Sequence, residues 1–249
     1  MPPFASYPSL KGRSVFVSGG GSGIGASTVE HFAGQGSKVA FVDIDEPASK
    51  AVAGKTGTLF IKCDIRDVKA YQAAIGHAAG QHGPITVLVN NAARDDRHEL
   101  ADVTTEFFDE RMAVNLRHAY FAIQAVVPGM KQAGGGSIVN FSSISYHTMA
   151  ANLSVYQAAK AAVIGMTRGL ARDLGRDRIR LNSVTPGWIM TQRQIDLWLT
   201  PEGEAELMKA QVLKEKVYPP DIARMVLFLA ADDSRLISAQ NFVVDGGRM

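Results

Sequence analysis

Short apolar runs alternate with longer helical segments along the whole chain. Seven runs have the continuous hydrophobicity expected of strands, and they cover residues 14–18, 38–43, 58–62, 85–90, 137–142, 179–185 and 241–245. The helical segments between them are residues 23–35, 67–82, 105–133, 154–175 and 221–230. Strands that are apolar throughout are typical of a parallel sheet with helices packed on both faces. The pattern predicts a single doubly wound α/β domain of the Rossmann type, spanning residues 1–249 around a seven-stranded parallel sheet.

Two segments fall outside this alternation. Residues 1–10 contain neither a basic start nor an apolar stretch, so we expect an N-terminal tail and no export signal. Residues 188–216 are too long for a plain connection between the sixth strand and the last helix. Within them, Thr200 followed by Pro201 is a helix-start signal that predicts a short helix. We expect this segment to form a substrate-binding lid over the ligand end of the sheet, with a static surface excursion as the alternative.

Composition narrows the class of protein. Hydrophobic residues make up 46% and charged residues 20% of the chain, which argues against a disordered or a membrane-spanning protein. The net charge of +2 gives no reason to expect a nucleic acid partner. Cys63 is the single cysteine, so an internal disulfide is excluded and a reducing, cytoplasmic location is expected. His98 and His147 lack partners at ligand spacing, and no metal site is predicted.

A glycine-rich loop follows the first predicted strand, and residues 18–25 read SGGGSGIG. Glycines allow a tight turn and let the backbone approach a pyrophosphate, whose charge is stabilised by the helix N-terminus. Asp43 ends the next strand, where a carboxylate accepts hydrogen bonds from ribose hydroxyls and repels a 2′-phosphate. Because the loop also lacks Arg and Lys, NAD is predicted as the cofactor in preference to NADP. The alternative is that Asp43 is a turn residue leading into residues 45–47.

Tyr156 and Lys160 are the strongest candidates for chemistry. Their separation of four residues in an alanine-rich helical segment puts both side chains on one helix face. An ammonium group beside the phenol is expected to lower the pKa of Tyr156, which makes it a candidate base. Ser142 and Ser143 end the strand upstream, and adjacent strand residues point to opposite faces, so we expect only one of them to reach the pocket.

These motifs together resemble the short-chain dehydrogenase/reductase family, and the resemblance extends along nearly the whole chain. The matching residues are Gly19, Gly23, Gly25, Asn90, Asn91, Ala92, Asn115, Ser143, Tyr156, Lys160, Pro186, Gly187, Asp245, Gly246 and Gly247. The resemblance implies a homotetrameric oxidoreductase with a catalytic tetrad of Asn115, Ser143, Tyr156 and Lys160. In that tetrad Ser143 is favoured over Ser142 by its spacing from Tyr156, and the Asn115 amide is expected to hold a water that links Lys160 to solvent.

The cofactor-binding residues follow from the glycine loop, the strand ends and the resemblance. They are Gly19, Ser22, Gly23, Ile24, Asp43, Asp64, Ile65, Asn91, Ala92, Tyr156, Lys160, Pro186, Gly187, Ile189 and Thr191. Among them, Asp64 is expected to accept a hydrogen bond from the adenine amino group. The Ile189 backbone and the Thr191 hydroxyl are expected to hold the nicotinamide carboxamide.

Within the family, the chain resembles the NAD-dependent aldose 1-dehydrogenases of the bacterial D-xylose dehydrogenase type. Residues 95–104, 115–118, 141–145 and 200–205 carry this likeness. It implies oxidation of the anomeric hydroxyl of a small-molecule aldose to a lactone, with hydride transfer to NAD. The candidate substrate-binding residues are Arg94, Asp95, Ser143, Ser145, Tyr146, Asn152, Tyr156, Trp188 and Arg193.

Two other functions stay open at the level of sequence. Arg94 and Arg193 favour a sugar acid such as a 2-keto-3-deoxy-aldonate, because guanidinium groups bind carboxylates bidentately. A catalytically silent NAD-binding sensor or scaffold on the same fold is the other alternative, although the complete tetrad argues against it. Asp96 and Arg97 are expected to form a structural ion pair.

Overall fold

The computed structural model of the protein describes residues 4–249. Its seven parallel strands form one sheet in the order β3-β2-β1-β4-β5-β6-β7, which confirms the predicted architecture. The strands are β1 (Ser14–Ser18), β2 (Lys38–Asp43), β3 (Leu59–Lys62), β4 (Val87–Asn90), β5 (Gly136–Phe141), β6 (Ile179–Pro186) and β7 (Asn241–Val244). Since β1 pairs with both β2 and β4, the strand order reverses there and opens a crevice at the carboxyl ends of the strands.

Helices pack on both faces of the sheet. They are α1 (Gly23–Gly34), α2 (Glu46–Thr56), α3 (Val68–His82), α4 (Thr105–Met112), α5 (His118–Gln132), α6 (Ser154–Leu174), α7 (Gln192–Trp198), α8 (Pro201–Ala210) and α9 (Pro219–Ala230). Alternate residues of β1 divide between two hydrophobic cores. Val15 and Val17 pack in the core beneath α1 and α9, whereas Phe16 packs in the core beneath α3 and α5. This double burial explains why the strands read as continuous apolar runs.

The helix α2 is absent from the sequence-based assignment. Asp45 precedes it and accepts a hydrogen bond from the Ala48 backbone N–H at 3.1 Å, and Pro47 lies in the first turn. An acidic residue followed by proline favours both a turn and a helix start, so the local sequence does not separate the two. The segment read as a turn is therefore the beginning of a helix.

The single helix predicted over residues 105–133 is interrupted. A π-helical turn, Ala113–Arg117, separates α4 from α5 and carries Asn115 at its centre. The Asn115 amide nitrogen donates to the Arg111 carbonyl at 3.0 Å. Such single turns accommodate one extra residue and are frequent at functional sites.

The segments expected to be a tail and a lid are both packed, at least in part, against the domain. The first three residues of the expected tail, 1–10, lie outside the described residues, and Leu10 at its other end is fully buried in the core. Residues 188–216, which we call the lid segment, hold α7 and α8. The Thr200 hydroxyl accepts a hydrogen bond from the Gly203 backbone N–H at 3.1 Å, which confirms the predicted helix start at Pro201. In residues 4–249 no helix is both long and apolar enough to cross a bilayer.

Candidate active site

A cavity of about 590 Å³ lies at the carboxyl ends of the strands, at the reversal of strand order. All fifteen residues predicted to bind the cofactor border it, from Gly19 in the glycine loop to Thr191 before α7. The cavity thus brings together the glycine loop, the ends of five strands, the first turns of α6 and the lid segment.

The glycine loop is a close-packed cradle. A Cβ atom on Gly25 would lie 1.7 Å from the Gly19 carbonyl oxygen, so no other residue fits there. The Asn91 amide nitrogen donates to the carbonyls of Ser18 and Gly19, both at 3.0 Å, and fastens the loop to the end of β4. Ser22 precedes α1 without capping it through its side chain, so the first N–H groups of this helix are available to an anion. These features fit a pyrophosphate.

Asp43 ends β2 at the rim of this cradle. One carboxylate oxygen accepts from the Gly21 N–H at 2.9 Å and the other from the Asp45 N–H at 3.0 Å. Each carboxylate oxygen can accept more than one hydrogen bond, so the group retains acceptors for ribose hydroxyls. Its position fits the ribose hydroxyls of a nicotinamide cofactor.

Asp64, at the end of β3, is engaged by a neighbour. Arg66 donates from its guanidinium to both oxygens of the Asp64 carboxylate, at 2.9 Å to one and 3.0 Å to the other. These hydrogen bonds hold the pKa of Asp64 below its ordinary value, against the effect of burial. An adenine amino group bound at this rim would share the carboxylate with Arg66.

Lys160 is a buried cation beneath the cavity. Its side chain is 2% exposed, and Nζ donates to the Phe141 carbonyl at 2.9 Å and lies 5.6 Å from the centre of the Tyr156 ring. Burial lowers the pKa of Lys160 to about 8, although the charge of Asp95 acts in the opposite direction. An ammonium with few partners is therefore available to the hydroxyl groups of a bound ligand.

Tyr156 differs from the expectation of a lowered pKa. Burial raises the pKa of its phenol, and the charge of Asp95 raises it further, while a hydrogen bond with Ser143 and the charge of Arg97 oppose the rise. The prediction from spacing was wrong in this respect, because the cost of desolvating the phenolate exceeds the stabilisation offered by its neighbours. Burial therefore favours the neutral form of Tyr156 at neutral pH.

Ser142 and Ser143 both border the cavity, contrary to the expectation that only one would. The strand β5 ends at Phe141, so strict alternation of side chains ends before the two serines. Their hydroxyls nonetheless differ: that of Ser142 donates to the Lys160 carbonyl at 2.8 Å, while that of Ser143 accepts from the Ser145 N–H at 3.1 Å and reaches Tyr156. Ser143 is the serine whose hydroxyl lies beside the phenol.

Asn115 does not border the cavity, and its amide hydrogen-bonds to the backbone and not to the expected water. Its oxygen accepts from the Arg94 N–H at 2.9 Å, and its nitrogen donates to the carbonyls of Arg94 and Arg111 at 3.1 and 3.0 Å. Both amide hydrogens are thus taken by the protein. The side chain ties the π turn to the loop after β4 and so positions residues that line the cavity.

The predicted substrate contacts divide into two groups. Besides Ser143 and Tyr156, five of them border the cavity, namely Arg94, Asp95, Ser145, Trp188 and Arg193. Tyr146 and Asn152 do not. The Asn152 amide donates to the Glu99 carboxylate at 3.0 Å on the exposed surface, and the Tyr146 ring packs 3.9 Å from the ring of His147. Both predictions rested on loop residues whose direction the sequence does not fix.

A cluster of charges joins the lid segment to the loop after β4. The Asp96 carboxylate accepts from Arg193 at 3.0 Å, pairs with Arg94 at 3.3 Å and also pairs closely with Arg111. The expected pair of Asp96 with Arg97 is not formed, and Arg97 packs instead over the Trp198 ring at 5.0 Å. The lid segment is therefore held over the cavity by Asp96.

Among the cavity residues that sequence reasoning missed, Gln194 and Arg248 contact the predicted residue Trp188. Gln194 accepts from the Trp188 indole N–H at 3.0 Å and donates to the Asp95 carboxylate at 2.7 Å, linking two predicted contacts. Arg248, next to the end of the chain, lies 6.0 Å from the centre of the Trp188 ring. No local motif marks either residue, since both depend on contacts between distant parts of the chain.

The remaining candidates for chemistry lie apart from this site or are inert. Among residues 4–249 no cluster of three or more His, Cys, Asp or Glu side chains could hold a metal ion. Cys63 borders the cavity, but burial followed by the charges of Asp64 and Asp67 raises the pKa of its thiol to about 11. A thiol with that pKa is not a nucleophile at neutral pH.

Known proteins similar to this chain include several dehydrogenases and reductases. A family model described as enoyl-(acyl carrier protein) reductase matches residues 19–248. D-xylose 1-dehydrogenase from Caulobacter vibrioides is 47% identical over 248 residues, and a probable galactose dehydrogenase from Rhizobium meliloti is 49% identical over 251 residues. Each alignment covers 98% of this chain and 98% of the relative. A short-chain type dehydrogenase/reductase from Mycobacterium ulcerans has the same fold, with a TM-score of 0.92 at 23% identity over 98% of this chain and 91% of that one.

The glycine cradle, the Tyr156 and Lys160 pair, and two full-length relatives at nearly half identity lead to one assignment. The chain belongs to the short-chain dehydrogenase/reductase family and is similar along its whole length to aldose dehydrogenases.

Proposed function

We propose that the protein is an NAD-dependent aldose 1-dehydrogenase that oxidises the anomeric hydroxyl of a pentose, hexose or deoxyhexose to the lactone. The observation that carries the proposal is the meeting of Ser143, Tyr156 and Lys160 on one wall of a cavity whose other end is the glycine cradle. Two relatives named for the oxidation of xylose and galactose support an aldose as the substrate class.

Different residues of this wall remove the proton and hold the sugar. Tyr156 takes the proton of the anomeric hydroxyl as general base, while the Ser143 hydroxyl beside it hydrogen-bonds the same oxygen. NAD, when bound in the cradle, would supply a nicotinamide ring that accepts a hydride from the anomeric carbon. The positive charge of Lys160, together with that of the oxidised ring, favours the phenolate, which the burial of Tyr156 disfavours.

Asn115 completes the proposed tetrad as a positioning residue. Its three hydrogen bonds to Arg94 and Arg111 fix the loop after β4, which carries Asp95. The lid segment covers the substrate, and opening of its contacts with Asp96 accompanies substrate entry and product release.

A neutral sugar is favoured over a sugar acid by the charges around the substrate end. Arg94 and Arg193, the two arginines that suggested an acid, are both paired with Asp96. Asp95 presents a carboxylate to the same region, and its charge acts on Tyr156 and Lys160. A substrate carboxylate would be repelled by Asp95, whereas sugar hydroxyls can donate to it.

The assembly and the location are inferred on separate grounds. An apolar groove between α4, α5 and α6 is lined by Leu116, Tyr120, Phe121, Met166 and Leu170, and Tyr120 is 48% exposed. Such a surface fits a contact between copies of the chain in a homotetramer.

The lone Cys63 is the basis for placing the enzyme in the cytoplasm.

Purified protein with NAD is expected to oxidise neutral aldoses, because Arg94 and Arg193 are paired with Asp96 and Asp95 adds a negative charge at the substrate end. The measurement is NADH absorbance with a panel that contains D-xylose, D-galactose, L-arabinose, D-fucose, galacturonate and 2-keto-3-deoxy-gluconate. Activity confined to the acids would replace the proposal with the sugar-acid alternative. Inactivity on the entire panel, with NAD bound, would favour the silent sensor.

Asp43→Ala is expected to relax a strong preference for NAD, because it removes the ribose acceptor and the repulsion of the 2′-phosphate. The measurement is kcat/KM with NAD and with NADP for both proteins. The matched control is Asp45→Ala, which removes a nearby carboxylate that caps α2 and does not border the cavity. A wild-type enzyme that uses NADP as well as NAD would contradict the cofactor assignment.

Tyr156→Phe is expected to lower kcat by about 10² to 10⁴-fold and to leave NAD binding nearly unchanged, because it removes the base and keeps the ring. Lys160→Ala should weaken both turnover and NAD affinity. Tyr120→Phe, at an exposed tyrosine on α5, is the control for loss of a hydroxyl. A Tyr156→Phe enzyme with more than about a tenth of the wild-type kcat would place the base elsewhere.

Sedimentation of the wild-type protein at micromolar concentration is expected to show a tetramer. Tyr120→Glu should dissociate it, since a carboxylate buried at an apolar contact is costly. The control is Leu100→Glu, at a side chain 83% exposed outside the groove. A stable monomer in the wild type would refute the proposed assembly, and a tetramer of Tyr120→Glu would move the contact to another surface.

A further inference from the structure

Arg248 reaches the cavity from the last turn of the chain. It borders the cavity on the side of the lid segment, where its guanidinium carbon lies 6.0 Å from the centre of the Trp188 ring. Trp188 is itself fixed there. Its indole N–H donates to Gln194 of α7 at 3.0 Å, and its ring packs against the first turn of α8 at Gly203.

The position of Arg248 is built by Asp245. This carboxylate is 6% exposed, and its two oxygens accept from the backbone N–H groups of Gly247 and Met249, both at 2.8 Å. Gly246 and Gly247 have φ of +69° and +76°, which turns the chain back on itself. The carbonyls of the same two glycines accept from Leu213 and Val212 at 2.9 and 3.2 Å. The end of the chain is therefore fastened to the lid segment, and Arg248 cannot swing away freely.

Arg248 differs from the other arginines of the cavity in having no partner. Arg66, Arg94 and Arg193 are each paired with carboxylates, and Arg97 donates to the Ala151 carbonyl. Within residues 4–249, Arg248 makes neither a side-chain hydrogen bond nor an ion pair. Burial lowers the pKa of its guanidinium, with Asp245 acting in the opposite direction. A partly buried cation without a partner favours a ligand that supplies oxygen acceptors.

We propose that Arg248 is a specificity-determining residue that donates hydrogen bonds to the sugar hydroxyls remote from the reacting carbon, while the Trp188 ring packs against the sugar's apolar face. The inference rests on the proposed function and assigns a residue to the substrate end of the same site. A ring of hydroxyls supplies acceptors to Arg248 and donors to Asp95, so the two charged groups match the two ends of one neutral ligand.

The contact of Arg248 is with the lid segment, which is neither the glycine loop nor the group of residues around Tyr156. The charges that act on the pKa of Tyr156 are those of Asp95 and Arg97, and Arg248 is not among them. The anion cradle is formed by the glycine loop and α1, whereas Arg248 packs with Trp188 on the lid segment. A guanidinium at this point is placed for the far half of the substrate.

The test compares steady-state kinetics of Arg248→Gln, Arg248→Lys and wild-type protein with D-xylose and D-galactose, at saturating NAD. We expect Arg248→Gln to raise the sugar KM about tenfold, which corresponds to about 1.4 kcal/mol, with kcat within about twofold and the NAD KM unchanged. Arg248→Lys should recover part of the loss. Asp245→Ala, which releases the end of the chain, should reproduce the rise in sugar KM. Arg235→Gln, at an exposed arginine outside the cavity, is the matched control.

The deoxy sugar 2-deoxy-D-galactose distinguishes the far hydroxyls from the near one. Its missing hydroxyl adjoins the reacting carbon, so Arg248→Gln should raise its KM by the same factor as for D-galactose. An unchanged sugar KM in Arg248→Gln would overturn the inference while leaving the proposed function intact. A rise in the NAD KM would assign Arg248 to the cofactor, and a factor lost with the 2-deoxy sugar would assign it to the near hydroxyl; either overturns the inference. A wild-type enzyme inactive on all aldoses would overturn the proposed function itself.

Discussion

The contact between Gly25 and the Gly19 carbonyl is the constraint on which the site depends. It brings the first turn of α1 against the end of β1, closer than any side chain permits. Asn91 then holds the same loop from the neighbouring strand, using both the Ser18 and Gly19 carbonyls. Backbone amides at a helix N-terminus are thereby fixed in place before any ligand arrives, and fixed dipoles stabilise an anion without the cost of reorganisation. The positions of the backbone groups in the glycine loop follow from this packing.

The chemistry at the other end of the cavity is governed by burial. Lys160 and Tyr156 are both removed from water, which disfavours the ammonium of one and the phenolate of the other. Each therefore responds strongly to a charge brought nearby. Asp96 pairs with Arg94 and Arg193, while Asp95 lies 3.5 Å from Arg193 and its charge acts on both Tyr156 and Lys160. The Tyr156 phenol is thus neutral in this structure, and a positive charge brought nearby would favour its phenolate.

Local signals in the sequence predicted the sheet and most of the cavity, because apolar strands and glycine turns are encoded by neighbouring residues. The start of α2 could not be separated from a turn, since Asp45 and Pro47 suit both. The spacing of Tyr156 and Lys160 did not predict the raised pKa of Tyr156, because the burial of a side chain depends on the whole fold. The sequence did not predict Gln194 and Arg248 as cavity residues, because each contacts Trp188 only through tertiary packing.

The π turn at Ala113–Arg117 has a consequence for evolution and engineering of this chain. It contains one residue more than an α-helical turn needs, so loss of a single residue there would leave a regular helix. The π turn absorbs its extra residue by local underwinding, so α4 and α5 would keep nearly the same rotation about the helix axis after such a deletion. The apolar face of α5 would stay on the core, whereas the Asn115 amide would lose the place from which it bonds Arg94 and Arg111. The extra residue therefore serves the cavity wall more than the packing of the two helices.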